Sequence, residues 1–153
     1  MIDLGECNLL QVEYLEMAAD ESVPLLTRIE QLNDYSKAVN ERCDKVVAVL
    51  HQITDLCKTE KDNKFELLRL QREVLRRQSE LSPAEPNFNV MHRYLSGLIS
   101  DINRQFDEAE NRFQEHDRER EQWFNLARSY LDRAKGVLRT SDQLLTVFEE
   151  ETL

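Results

Sequence analysis

The chain has 153 residues and carries 30 acidic against 20 basic side chains, a formal charge of −10, with only three Gly and three Pro. So few turn-forming residues exclude a multi-stranded sheet. No apolar run reaches the roughly 20 residues of a membrane span, and the opening MIDLGECNLL lacks the basic stretch and long apolar core of a secretory leader. The expectation is an all-α protein that is intracellular, cytoplasmic or cytoskeleton-associated. Its cysteines, Cys7, Cys43 and Cys57, form neither an even disulfide framework nor a CxxC pair, which suits a reducing compartment.

The first predicted element is a short helix over about 8–20, with Leu10, Tyr14 and Met17 on one face. Ser22 ahead of Val23-Pro24 then predicts a cap and an early-turn proline for a long helix over about 23–81. Along it apolar positions recur at alternating steps of three and four: Leu25, Ile29, Leu32, then, past Ser36, Val39, Cys43, Val46, Leu50, Ile53 and Cys57. From Lys58 to Lys64 the seam turns polar. Phe65, Leu68 and Leu75, running beside Leu67, Leu70, Val74 and Leu81, predict a phase shift inside the helix at that point.

Ser82 to Asn89, with two of the three prolines, predicts a loop over 82–89. A second long helix over about 89–149 follows, its seam stepping by three or four from Leu95 through Ile102, Phe106, Ala109 and Phe113 to Trp123, Tyr130, Val137 and Phe148. From Trp123 onward a companion stripe, Phe124, Leu131, Leu138 and Leu145, recurs every seven residues. A stripe so widened predicts two neighbouring helices there, with the short first helix supplying the extra cover.

These elements predict an elongated antiparallel hairpin, coiled-coil-like, with arms of about 85–90 Å. The short N-terminal helix completes a three-helix bundle at the open end, and residues 1–153 form one α-helical domain. The alternative is a compact four-helix bundle, with the arms broken at 58–64 and 116–122. Long amphipathic helices, one of them carrying Trp123, resemble the spectrin-type three-helix repeat in architecture alone. Two long arms and a short first helix depart from that repeat's three comparable helices, and no family follows from the likeness.

Catalytic and cofactor chemistry finds no foothold in the pattern. None of His51, His92 and His116 has a Glu three residues earlier, and HExxH and GxSxG are absent. Gly5, Gly97 and Gly136 are isolated, unlike a phosphate-binding loop. Cys43 and Cys57 fall about 21 Å apart along one helix and cannot share a metal within it. The reading is therefore no enzyme, no metal, no cofactor and no small-molecule substrate. His116 and Arg120, four residues apart in the seam, are expected to form a polar layer that sets register or acts in switching.

Charge is uneven. Residues 1–34 carry a net −7 and residues 142–153 a net −4, whereas residues 61–78 carry +3. Arg69, Arg72, Arg76 and Arg77 present a basic face, open to two readings: docking of an acidic partner, or a solvated face paired with Glu66 and Glu73. Phe88, Met91 and Tyr94, beside the loop, are either an apolar docking tip or a staple across the turn. Nucleic acid and membrane insertion are not expected. The function read from the sequence is a non-catalytic protein–protein interaction or scaffold module. It would be a coiled-coil subunit or fragment of a larger cytoskeletal, kinetochore-like or vesicle-tethering assembly, completed through its seams as a homo- or hetero-oligomer. The alternative function, tied to the four-helix fold, is a regulatory or ligand-binding domain.

Overall fold

Between Leu25 and Glu80 the chain contains no glycine or proline, so nothing in the backbone interrupts helical hydrogen bonding once it starts. In the computed structural model, which describes Leu4, Leu10 and residues 13–153, the described residues form three helices and no strand: α1 (Tyr14–Ala19), α2 (Leu25–Glu80) and α3 (Phe88–Thr152). Both polar stretches, 58–64 and 116–122, lie inside continuous helix. That overturns the four-helix alternative, because neither stretch supplies a residue that breaks a helix. No helix among the described residues is long and apolar enough to cross a membrane.

Of the expected short helix over 8–20, the described residues show Leu10 helical and α1 from Tyr14 on, with Glu13 ahead of α1 not helical. Glu13 is extended (φ −69°, ψ 121°), and α1 starts at Tyr14; the expected start at Asn8, like Cys7, lies outside the described residues. Nor does Ser22 cap α2. Its amide and hydroxyl both donate to the Asp20 carboxylate, which holds that carboxyl below its ordinary range, and the Pro24 carbonyl accepts the first helical bond from Arg28 at 3.0 Å. At the loop α2 stops at Glu80. The Asn87 carbonyl accepts from the Met91 amide at 3.0 Å to open α3, which runs three residues past its expected end.

Residue contacts divide the chain into two compact units, one of residues 1–51 with 121–153 and one of residues 52–120. In the first, α1 joins the adjoining stretches of α2 and α3 around one core: Ala18, Leu32, Tyr35, Val39, Ala134 and Val137, with Tyr14, Met17, Tyr130 and Leu144 packed against it. Three arginines hold the N-terminal segment by its backbone: Arg28 donates to the Ala18 carbonyl at 2.8 Å, Arg42 to Leu4 at 2.6 Å and Arg133 to Leu10 at 3.5 Å. This is the expected three-helix arrangement, but α1 occupies the other flank of α3. It packs on the side of Gly136, where the missing Cβ leaves room for the Tyr14 ring, and Phe124, Leu131, Leu138 and Leu145 stay exposed.

The second unit is an antiparallel helical hairpin. Its core gathers Val74, Leu95 and Ile102, with Leu67, Leu81, Leu98 and Ile99 around them. The predicted phase shift is absent. Beyond Cys57 the inward positions continue in the same three-and-four step through Glu60, Lys64, Leu67, Gln71, Val74, Gln78 and Leu81, all buried or half-buried. Phe65, Leu68, Leu70 and Leu75 are left exposed. The seam persists because its polar members find partners across the hairpin, so a shift of phase has nothing to relieve.

Candidate interaction surfaces

Within the 52–120 hairpin, the polar seam positions of α2 pair with α3 rung by rung. Arg112 donates to Glu60 at 2.9 Å, and Lys64 pairs with Glu110 while its ammonium lies 4.4 Å from the centre of the Phe113 ring. Further toward the loop Gln71 donates to Asn103 at 2.5 Å. Gln78 donates to the Ser96 hydroxyl at 2.7 Å and to the His92 carbonyl at 3.3 Å. Each rung joins a seam residue of one helix to a residue of the other that lies as far from the loop, which fixes antiparallel register.

The ion pairs set the charge states of this layer. The Arg112 hydrogen bond holds the Glu60 carboxyl below the ordinary glutamate range and raises the guanidinium in return, and Lys64 does the same to Glu110. One Glu60 oxygen, Oε2, is buried with no hydrogen-bond partner. At the head of the layer, burial pushes the Cys57 thiol above its ordinary value, which makes it a poor nucleophile.

His116 and Arg120 are both half-buried, as their seam positions require, and Arg120 forms an ion pair with Asp117 of its own helix. The ion-paired rungs between the two helices are Glu60–Arg112 and Lys64–Glu110, which the sequence reading does not single out. Their signal was the unbroken three-and-four step after Cys57, obscured by the apolar residues running on the outer face.

The basic face is exposed and paired within α2. Arg69 meets Glu66 at 2.7 Å, Arg76 lies between Glu73 at 3.6 Å and Glu80 at 3.2 Å, Arg77 meets Glu73 at 3.4 Å, and Arg72 is exposed beside them. Such pairs leave the arginines solvated and hold little energy.

Next to the loop, side chains from both helices enclose an open groove of about 500 Å³. Leu70, Leu81, Met91, Tyr94 and Leu98 provide apolar lining, and Glu73 and Arg77 sit on its rim. Met91 and Tyr94 are exposed there, whereas Phe88 is half-buried and its ring leans on His92, tilted by 37° at 5.4 Å between centres. The groove therefore brings together Met91, Tyr94 and Arg77, and leaves out Phe88, Arg69, Arg72 and Arg76. Leu70 reaches it from the outer flank of the α2 seam and Leu81 from the seam itself, a placement that one helix's spacing alone does not reveal. Among the described residues, no group of three or more His, Cys, Asp and Glu side chains is placed to hold a metal ion.

No family model matches this sequence, and no curated protein or solved structure matches it either, so the interaction surfaces stand on their own geometry.

Proposed function

We propose that this chain is a non-catalytic protein–protein interaction module, an intracellular scaffold subunit or fragment of a larger assembly of the cytoskeletal, kinetochore-like or vesicle-tethering kind. The observation that carries the reading is the groove beside the loop. Its lining of Leu70, Leu81, Met91, Tyr94 and Leu98 is apolar and open, and a rim of one acid and one base suits the apolar stripe of an amphipathic helix from another chain. Methionine adapts its shape to a partner, and tyrosine supplies broad contact area at small entropic cost.

The test replaces the two exposed anchors, Met91→Glu and Tyr94→Glu, in the full chain and compares partners recovered by in-cell crosslinking. Because both side chains are exposed, the circular dichroism melt should not change, while crosslinked partners fall by about tenfold or more. Recovery of the same partners at the same yield from both variants would remove the groove from the reading.

A further inference from the structure

α1 covers one flank of the α3 seam and leaves the other bare. On that bare flank Phe124, Leu131, Leu138 and Leu145 are 54%, 49%, 60% and 43% exposed. They repeat every seven residues, about 10.5 Å apart along the helix, as a coiled-coil seam does. Outside them runs a second heptad row, Glu121, Arg128, Lys135, Asp142 and Glu149, all exposed. In sign this row reads minus, plus, plus, minus, minus.

We infer that residues 121–153 self-associate: two copies of this chain pair antiparallel through the Phe124–Leu131–Leu138–Leu145 stripe, with the twofold axis at Leu138. The charged row selects this arrangement. Antiparallel pairing about a twofold axis brings the same flank of both helices together, so the row faces itself in reverse order. With the axis at Leu131, Arg128 meets Lys135 and Glu121 meets Asp142, all like charges. Midway between Leu131 and Leu138, Lys135 meets Lys135 and Glu121 meets Glu149, so only Arg128 with Asp142 is favourable. With the axis at Leu138, Arg128 faces Glu149 and Lys135 faces Asp142 of the second copy, each pair occurring twice, and no like charges of the row meet. A parallel pair would set the row against the opposite flank, where Ala127, Ala134 and Ser141 carry no charge to answer it. The inference concerns residues remote in sequence from Met91 and Tyr94 and stands independently of the function proposed above.

Sedimentation equilibrium of the purified full chain, with no other protein present, tests it. The mass should climb with micromolar concentration from 18.1 kDa toward twice that value. Leu138→Glu, at an exposed position, should leave the circular dichroism melt unchanged and raise the dimer Kd by about 30-fold or more. Lys135→Glu should weaken the dimer by about tenfold, and adding Asp142→Lys to it should restore most of the affinity, because the swap re-forms the pair with its signs exchanged. Three results would overturn the inference: a chain that stays monomeric throughout, a dimer indifferent to Leu138→Glu, or a double swap no tighter than Lys135→Glu alone.

Discussion

Gly97 and Gly136 both occupy interior positions of α3, where glycine costs about 1 kcal/mol relative to alanine, yet their surroundings differ. A Cβ at Gly97 would meet nothing within 4 Å, whereas at Gly136 it would run into the Tyr14 hydroxyl and lie 3.0 Å from its Cζ. Tyr14 is not free to step aside, since its ring rests against Tyr35, 5.8 Å between centres and tilted 55°. Gly97→Ala is therefore expected to stabilise the chain by about 0.5–1 kcal/mol, and Gly136→Ala to destabilise it by about 1 kcal/mol through displacement of α1. Thermal melts of the two variants check this. Equal stabilisation by both would show that Tyr14 does not anchor α1 at Gly136.

At the scale of the element, α2 runs unbroken over 56 residues, and within the 52–120 hairpin part of its inward face is polar. Glu60 is the test position, buried in the seam with one oxygen on Arg112 and the other unpartnered. Replacing a whole buried ion pair by apolar side chains is often neutral or stabilising, whereas removing one partner is costly where the other charge is left buried. The Arg112 side chain is 49% exposed, so it is not stranded. Glu60→Leu is accordingly expected to shift stability at pH 7 by between zero and about +1 kcal/mol, with Arg112 turning to solvent. A clear fall in Tm would show the ion pair to be net stabilising. The pH dependence has a definite sign. Glu60 and Glu110 are held below the ordinary glutamate range when folded, so their contribution is full above about pH 4.3, the unfolded value, and is lost as pH falls through the folded one. Titrated below about pH 4, wild type should lose Tm more steeply than Glu60→Leu; parallel curves would refute the role given to Glu60.

At the scale of the whole molecule, charge separates along the division into units. Residues 1–51 with 121–153 hold sixteen acids and eight bases, a net −8, while residues 52–120 hold fourteen acids and twelve bases, a net −2. Self-repulsion is therefore concentrated in the unit that contains Trp123, the single tryptophan and almost fully buried. Its fluorescence reports on the packing around that buried ring. Raising ionic strength from about 0.01 M to 0.15 M shortens the screening length from about 30 Å to about 8 Å. In dilute solution the Trp123 melting midpoint is expected to rise by a few degrees over that range. A midpoint that falls would mean that attractive pairs outweigh the net charge.

The helices and the two seams were legible in the sequence because both rest on local rules. Few glycines and prolines let helices run, a Pro-rich stretch ends them, and burial needs apolar residues on one face, so Leu32, Val39, Val46, Ala109, Trp123 and Val137 turn inward as their spacing predicts. Which polar residues join them is a pairwise matter. Glu60 and Lys64 look like surface charges until Arg112 and Glu110 stand opposite, so their place in the seam belongs to the hairpin and not to either helix. The flank taken by α1 was likewise decided in three dimensions, by the fit of Tyr14 over Gly136. Spacing marked Phe124, Leu131, Leu138 and Leu145 as apolar but carried no information on which neighbour arrives, and the groove at Met91 and Tyr94 exists only once α2 and α3 lie side by side.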